Sequence, residues 1–420
     1  MIPKLFGSKD NGNATIVYWG LWEDPTVFNT VIADFERQHP NIKVEYQKQD
    51  IKSLGNYVHR LQTRVDNGTG PDIFRYHNSW ITELKPDLLP LPSDLVKSSQ
   101  LDTQYYDVVK SDLNKDGAYY GIPLGMDALS LFVNTDLFAQ GGYKIPTNWD
   151  DVLNISRQIS VKDQNGNIQT AGVALGTYDN ISHASDVISL LLLQNGADIY
   201  DLGGNTSGNA KDALDYYMLS SQGDNKVWDN TMDNSTLAFA EGKLAMMFGY
   251  SWDIPLIQAA NPGLKFKVVA VPHLLGTNFT LASYWVEGVS KTSKHPQAAF
   301  EFLKYLSQKG TLEKLYSAEA QSTGRGFGEL YPRKDMASLL KGNQTIYPIV
   351  QQFSAAKSTP FASDTYDEGM NKVLDEAMGN TINAILTQNT STETALQTLG
   401  QNEAQELAKY GIGQVPTNGQ

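Results

Sequence analysis

The stretch YYGIPLGMDALSLFVNTDLF, residues Tyr119–Phe138, decides how the rest of the chain is arranged. It contains two runs rich in aromatic and aliphatic residues, Tyr119–Leu124 and Ala128–Asn134, and both predict buried strands. A short kink at Gly125, Met126 and Asp127 separates them. We interpret this kink as the first crossing of the chain between two lobes, with the Asp127 carboxylate at the mouth of the cleft.

A repeating strand–helix pattern precedes this crossing. Strand-like runs at Ala14–Gly20, Ile42–Tyr46 and Asp72–Phe74 are separated by two amphipathic helical patterns. This β-α-β-α-β order is typical of a mostly parallel sheet, whose ligands bind at the carboxyl ends of the strands. Those ends are the segments Gly20–Asp24 and Arg75–Trp80, which are rich in side chains that stack or form hydrogen bonds.

The chain after the crossing predicts a second α/β half. It contains a hairpin pattern turning at Asn165-Gly166, a strand at Lys243–Gly249 and a second crossing within Leu281–Ser290. A Gly-rich break at Ser322–Gly328 is a candidate third crossing. We therefore expect lobe 1 to comprise residues 14–125 plus about 284–326, and lobe 2 residues 127–280 plus about 330–412, with an N-terminal tether at 1–13 and a C-terminal tail at 413–420.

Composition excludes several classes of function. With 420 residues and 41% hydrophobic residues, the chain is long enough for two globular cores. Its net charge of −13 would repel phosphate backbones, so we expect no nucleic-acid partner. It has no cysteine, which excludes disulfides and thiolate chemistry. No apolar run reaches about 18 residues, so no membrane span is predicted.

The sequence motifs for metals and cofactors are incomplete. Asp112–Gly117 matches the first half of a calcium loop, but Pro123 stands where the closing carboxylate should be. The six histidines show no metal-ligand spacing, and we interpret them as surface or capping residues. The run Gly324–Gly328 lacks the strand-to-helix context of a dinucleotide site. We therefore predict neither a metal nor a cofactor. Glycoside hydrolysis by the carboxylates of Glu23 and Asp127 stays open as an alternative.

Aromatic, amide and carboxylate side chains cluster where predicted strands end. Aromatic faces stack on the apolar side of a sugar ring, while acids and amides bind hydroxyl groups, so together they suit a neutral polyhydroxy ligand. Any single aromatic fits a core position equally well. The predicted ligand-binding residues are Trp22, Glu23, Asn78, Trp80, Asp127, Tyr178, Trp252, Asp253 and Trp285.

From Ala14 to about Tyr410 the chain resembles the extracytoplasmic sugar-binding proteins of bacterial ABC importers, the maltose-binding-like family. The stretches that carry the resemblance are FERQHPNIKVEYQ, GTGPDIF, YYGIPLGMDALSLFVNTDLF, PTNWDDV, FAEGKLAMMFGYSWDI and SKTSKHPQAAFEFLKYLS. Each stretch alone is a weak sign of the family, but their order and spacing along the chain are specific to it. The resemblance implies an α/β, two-lobe periplasmic-binding-protein-like fold with a hinge and a central ligand cleft.

The resemblance also implies a role for individual residues. Asp127 matches the family's acidic hydroxyl-binding position, and Trp252 matches its stacking aromatic in the second lobe. Asn78 and Trp80 fall in the segment that supplies first-lobe contacts, and Tyr178 falls in the second-lobe loop that faces them. At Trp22 and Glu23 the chain departs from maltose-type members, which carry other polar residues there, so the resemblance does not imply maltose as the ligand.

These features predict a monomeric, extracytoplasmic protein, either periplasmic or lipid-anchored at the outer face of the cell membrane. It would bind a neutral oligosaccharide between its lobes and deliver it to the permease subunits of an ABC transporter. The alternative is a secreted carbohydrate-active enzyme that uses Glu23 and Asp127.

Overall fold

Two five-stranded sheets organise the fold in this computed structural model, which describes residues 13–50, 56–223, 226–274, 276–322 and 325–413. The strands are β1 (Ala14–Gly20), β2 (Ile42–Lys48), β3 (Ile73–His77), β4 (Asn114–Lys115), β5 (Ala118–Tyr119), β6 (Ile122–Pro123), β7 (Asp127–Ala128), β8 (Ser130–Asn134), β9 (Val161–Lys162), β10 (Ile168–Val173), β11 (Leu244–Gly249), β12 (Phe266–Val269), β13 (Thr280–Ser283), β14 (Trp285–Val289) and β15 (Ala356–Lys357).

Helices cover both sheets. They are α1 (Pro25–Gln38), α2 (Tyr57–Asp66), α3 (Ile81–Leu84), α4 (Ser93–Ser99), α5 (Leu101–Gln104), α6 (Asp107–Leu113), α7 (Thr135–Gly141), α8 (Trp149–Ile159), α9 (Ala184–Gln194), α10 (Ser207–Met218), α11 (Ser235–Ala240), α12 (Asp253–Ala260), α13 (Pro296–Leu306), α14 (Lys309–Ser322), α15 (Tyr347–Val350), α16 (Met370–Gln388) and α17 (Thr392–Ala408). Among the described residues, none of these helices is long and apolar enough to cross a membrane.

The first sheet has the strand order β2-β1-β3-β14-β6. Strand β1 pairs in parallel with β2 and β3, which confirms the predicted β-α-β-α-β unit. The connecting helix α1 begins where the sequence indicates, because the Asp24 carboxylate accepts a hydrogen bond from the Thr26 backbone N–H at 3.0 Å. Its apolar face, which includes Phe28 and Phe35, is fully buried against this sheet's core.

The second sheet has the strand order β12-β8-β11-β10-β9. Strands β10 and β11 are parallel, whereas β8 runs antiparallel to both β11 and β12. Strand β9 pairs antiparallel with β10. The predicted hairpin is therefore confirmed, and Gly166 occupies its turn with φ of +83°, a left-handed conformation that suits glycine.

The stretch Tyr119–Phe138 joins the two sheets. Its first run supplies β6 to the first sheet and its second run supplies β8 to the second sheet. Between them, β7 pairs antiparallel with β13, and β13 is followed after Tyr284 by β14 of the first sheet. The first two crossings thus lie side by side. Residues 1–12 of the predicted tether and 414–420 of the predicted tail lie outside the described residues.

The chain stays with the first lobe further than the sequence predicts. Arg333 donates hydrogen bonds to the Ser99 carbonyl oxygen and to Gln100 Oε1, each at 2.8 Å. Gln352, in contrast, donates to Ser130 Oγ at 2.8 Å and accepts from the Val271 N–H at 2.9 Å, both in the second lobe. Arg333, just beyond the predicted boundary at about residue 330, is thus bonded to first-lobe residues.

Candidate ligand-binding site

A cavity of about 900 Å³ lies between the lobes and takes its lining from both. Small-molecule cavities in proteins typically measure about 300–1,000 Å³, so this one lies near the upper end of that range. Six of the nine predicted residues contribute to its wall: Trp22, Asp127, Tyr178, Trp252, Asp253 and Trp285.

The first-lobe wall is aromatic. Trp22 follows β1 and Trp285 begins β14, and their rings meet edge to face with centroids 5.4 Å apart. The His77 ring lies 5.1 Å from Trp285, and its two nitrogens bond Ser79 Oγ at 2.6 Å and Ser283 Oγ at 3.0 Å. Burial lowers the pKa of His77 to about 3, so this side of the cavity carries a neutral imidazole.

The second-lobe wall is built on β10 and β11. Trp252 follows β11 and stacks on the buried Tyr250 ring at 4.3 Å, with 16° between the ring planes. Trp252 is itself only partly buried, because its other face borders the cavity. Tyr178 follows β10, and its hydroxyl donates to Asp375 Oδ1 at 2.7 Å. We call the stacked pair Tyr250 and Trp252 the platform.

Asp127, at the start of the first crossing strand β7, is hydrogen-bonded to Ser251, which lies between the two platform residues. One of its oxygens accepts from the Ala128 N–H at 2.8 Å, and the other accepts from both the N–H and the hydroxyl of Ser251. The Arg325 guanidinium donates to the same Ser251 hydroxyl at 3.3 Å. Burial raises the pKa of Asp127 to about 7. A carboxylate offers about four lone-pair sites, so Asp127 retains acceptor capacity toward the cavity.

Asp253 is held by the same wall. Its Oδ2 accepts from the Tyr250 N–H and from His183 Nε2, each at 2.9 Å. These bonds fix the carboxylate at the start of α12, beside Trp252. Asp253 therefore lines the cavity with one oxygen already committed to the protein.

Glu23 does not line the cavity, contrary to the sequence prediction. Its carboxylate pairs with the buried Arg75 guanidinium, whose Nε also donates to Glu287 Oε1 at 2.6 Å. Although burial opposes the effect, the Arg75 charge lowers the pKa of Glu23. The residue acts as a counter-ion inside the first lobe, so the enzyme alternative loses one of its two carboxylates from the cavity.

Asn78 and Trp80, which the sequence predicts as ligand contacts, also lie outside the cavity wall. The Asn78 amide donates to Asp112 Oδ2 at 3.1 Å and to Ser358 Oγ at 3.0 Å, while its carbonyl accepts from the Tyr284 N–H. Trp80 is fully buried beneath Trp285, with ring centroids 5.3 Å apart. Both residues support the wall from behind.

One group of carboxylates has the spacing of a metal site. Ligand atoms of Glu23, Glu319 and Glu329 lie within 4.8 Å of one another in the described part of the chain. Arg75 already pairs with Glu23 and approaches Glu329 to 4.0 Å, so a fixed positive charge stands where a cation would go. We assign no metal to this group.

The cavity wall also contains residues that the sequence did not single out, among them Tyr366, and His183 packs against Trp252 and Asp253 of that wall. His183 is buried, so its interpretation as a surface residue is wrong; it occupies the N-cap position of α9 but makes no side-chain cap bond there. Tyr366 lines the cavity and its ring lies 6.2 Å from Trp22 of the other lobe. The one available signal for Tyr366 was an aromatic residue within the polar run SDTYDEG.

Comparisons with known proteins agree with this architecture. The family model described as bacterial extracellular solute-binding protein matches residues 19–312. The multiple sugar-binding protein of Streptococcus mutans is 24% identical over 341 residues, which cover 75% of this chain and 76% of that protein.

Solved structures show the same fold over nearly the whole chain. A cyclo/maltodextrin-binding protein complexed with maltotetraose has a TM-score of 0.76 and 20% identity, covering 99% of this chain and 100% of that one. The sugar-binding protein MalE from Xanthomonas citri has a TM-score of 0.73 and 21% identity, covering 94% and 98%. The predicted two-lobe α/β fold is confirmed, and this chain belongs to the family of bacterial extracellular solute-binding proteins.

Proposed function

We propose that this protein binds a neutral oligosaccharide in the cavity between its lobes and delivers it to the permease of an ABC transporter. The observation that carries the proposal is the pair of facing aromatic walls, Trp22 and Trp285 on one lobe and Trp252 and Tyr178 on the other. Aromatic faces cover the apolar sides of sugar rings, and the polar groups between them bind hydroxyls. The sugar ligands named for the relatives support the same class of ligand.

The size and charge of the cavity refine the ligand class. A volume of about 900 Å³ suits a chain of several sugar units better than a single ring. Carboxylates at Asp179, Asp364 and Asp375, together with Asp127 and Asp253, line the same space. They outnumber the Arg325 guanidinium in the lining and would repel uronic or phosphorylated sugars, so we propose that the ligand carries no negative charge.

We assign roles within the site on this basis. Trp252 is the ring of the platform that stacks on the sugar, and Asp127 accepts a sugar hydroxyl through the lone pairs that Ser251 leaves free. Tyr178 and Asp253 bind the same sugar from the second lobe, while Trp22 and Trp285 cover its opposite face.

The lobes would close about the paired crossings. We propose that the first lobe comprises residues 14–125 plus about 284–334, and that the second comprises 127–280 plus about 350–412. Both lobes supply groups that bind the ligand. A bound sugar therefore stabilises the closed arrangement of the lobes and shifts the population toward it.

The family is extracellular and its members bind solutes without turning them over. We propose that this protein acts as a monomer, either periplasmic or lipid-anchored at the outer face of the cell membrane. The exposed rims of both lobes would dock on the permease. Loss of sugar uptake when the permease genes are deleted is the expected result, and unimpaired uptake would contradict the partnership.

A thermal-shift screen tests the ligand class directly. The panel contains monosaccharides, neutral oligosaccharides such as maltotetraose and mannotriose, and uronic oligosaccharides of matched length. At about a hundred times its dissociation constant, a true ligand adds about 2.7 kcal/mol to the free energy of unfolding. We expect stabilisation by a neutral oligosaccharide, no stabilisation by its uronic counterpart, and no product on chromatography. Stabilisation by none of the sugars would reject the proposal, and product formation would favour the enzyme.

A further inference from the structure

We propose that His183 is a positioning residue of the ligand site: its imidazolium ring fastens the segment 363–368, which carries Tyr366, to the platform. This inference rests on the proposed function, since it assigns a task within the same cavity. The ring stands where three parts of the second lobe meet, between α9, the start of α12 and the segment 363–368.

The hydrogen bonds around the ring require a hydrogen on both nitrogens. The Ser363 hydroxyl donates to Asp186, and the Ser363 backbone N–H reaches the other Asp186 oxygen at 3.3 Å. The Ser363 oxygen is thereby left to accept from His183 Nδ1, 3.0 Å away. On the other side, Nε2 faces the acceptor oxygen of Asp253 at 2.9 Å. A neutral imidazole could satisfy one of these acceptors but not both.

Electrostatics favours the same charged form. Besides Asp253 on α12, the ring faces Asp186 of α9 at 3.8 Å and Asp364 of the segment 363–368 at 3.6 Å. Tyr250, at the end of β11, meets the ring edge to face at 5.1 Å. Although burial opposes it, the charges of the surrounding carboxylates raise the pKa of His183 to about 9.

The segment 363–368 needs this attachment because its backbone is strained. Asp364, Tyr366 and Glu368 have φ values of +55°, +57° and +55°, in the left-handed region that residues other than glycine rarely adopt. Such strain persists only where neighbouring contacts hold it. The far end is held by Asp367, whose carboxylate accepts from the backbone N–H groups of Asn371 and Lys372 at 2.7 and 3.1 Å.

At the near end, Ser363 is the point of attachment, so His183 sets the distance between Tyr366 and the platform. Tyr366 lines the same cavity as Trp252 and approaches Trp22 of the first lobe. Loss of the ring charge would remove the Nδ1 hydrogen bond and leave Ser363 held by Asp186 alone, so the strained residues would be less firmly held beside the ligand. His183 therefore acts on the sugar through Tyr366 and the platform, without touching it.

The test compares His183→Gln with His59→Gln, which changes an exposed histidine on α2. Two readouts are taken on the full chain at pH 7: amide hydrogen exchange of residues 363–368 without ligand, and affinity for whichever of maltotetraose and mannotriose binds the unchanged protein more tightly. We expect His183→Gln to exchange faster in this segment and to bind the sugar at least tenfold more weakly. His59→Gln should match the unchanged protein in both readouts.

A pH series separates positioning from a merely structural effect. Affinity of the unchanged protein should fall between pH 8 and 10, whereas the His183→Gln profile should be flat over that range. If His183→Gln does not fold, Ser363→Ala replaces it, since it keeps the ring but removes the Nδ1 acceptor, and it should move the alkaline fall to lower pH. If His183→Gln and the unchanged protein have equal amide exchange in residues 363–368 and equal sugar affinity, the inference is overturned. Binding of neither sugar would overturn the proposed function instead, while the exchange comparison would still decide the role of His183.

Discussion

Trp80 and Trp252 show how the same residue type serves two purposes at the ends of strands. Trp80 lies beyond β3, fully buried beneath Trp285, and it supports the first-lobe wall. Trp252 lies beyond β11, stacks on Tyr250 and leaves its other face to the cavity. The difference follows from what covers each ring, because a second aromatic layer lies between Trp80 and the cavity.

Replacing each indole should therefore have opposite consequences. Trp252→Ala is expected to weaken sugar binding by tenfold or more, about 1.4 kcal/mol, because a stacking surface is lost. Its ligand-free melting temperature should change little. Trp80→Ala is the matched control and should cost about 3–5 kcal/mol of unfolding free energy, since it opens a cavity in the core. Calorimetry and titration of both variants check this pair, and a badly destabilised Trp252→Ala protein with normal affinity would contradict it.

The sequence predicts the residues that are placed by their own strand and not those placed by distant partners. Trp22, Tyr178 and Trp252 line the cavity because each lies two to five residues beyond a strand that ends there. Glu23 follows β1 as well, but Arg75, 52 residues away, draws it into a buried ion pair. Asn78 is likewise held away from the cavity by its hydrogen bond to Asp112, 34 residues along the chain. No local pattern announces either pairing.

At the scale of elements, helix α16 supports the second-lobe wall from behind. Its Asp375 accepts the Tyr178 hydroxyl, and Gly379 lies one turn further along the helix. A Cβ at Gly379 would come within 2.9 Å of the Tyr178 ring. Glycine inside a helix costs about 1 kcal/mol relative to alanine, so the close approach of this ring accounts for its presence.

Gly379→Ala should thus impair binding even though alanine is the better helix former. We expect the added methyl group to push the Tyr178 ring into the cavity and to weaken sugar affinity several-fold. Gly310→Ala on α14 is the control, because a Cβ there would meet nothing within 4 Å. Titration calorimetry on both variants is the measurement. Unchanged affinity in Gly379→Ala would show that the ring does not need its present position.

Regular elements were readily predictable, whereas the segment 363–368 was not. Strands, amphipathic helices and the hairpin follow from hydrophobic periodicity and turn residues, which act over a few positions. The segment has positive φ at Asp364, Tyr366 and Glu368 without a glycine at any of them. Its conformation is imposed by His183, Asp186 and Asp367, so tertiary contacts overrule the local preference.

For the whole molecule, we predict a hinge closure driven by ligand. The crossings β7 and β13 lie side by side, so a small rotation about them would bring the two aromatic walls together. Small-angle scattering should show a smaller radius of gyration when a sugar that binds is present at saturation. A non-binding sugar at the same concentration is the control. If the scattering curves with and without the binding sugar superimpose, the lobes do not close far enough for both to contact one ligand.

Stability should also decrease from mildly acidic to alkaline pH. Burial raises the pKa of Asp127 and Glu83 to about 7 and that of Glu403 to about 8. Between about pH 4.5 and 8 these carboxyls bind more protons in the folded state than in the unfolded state, so the free energy of unfolding falls as pH rises. The raised pKa of His183, about 9, has the same sign: its contribution is complete below about pH 6.5 and is lost through pH 9.

Melting temperatures measured without ligand from pH 5 to 9.5 check this prediction. We expect the highest value near pH 5 and a steady fall toward pH 9.5. In His183→Gln the alkaline part of the fall should be shallower, while the part between pH 5 and 7 remains. A melting temperature that rises with pH over this range would show that the buried carboxyls are stabilised in their ionised form.

Strand β14 has a consequence for the time at which the protein can fold during synthesis. It lies between β3 and β6 in the first sheet, although it follows the whole stretch from 127 to 280 in the chain. A nascent polypeptide therefore leaves the ribosome with the edges of β3 and β6 unpaired until residues 285–289 have been made. Long-range strand pairing of this kind is slow, so most of the chain is synthesised before the sheet of the first lobe can be completed.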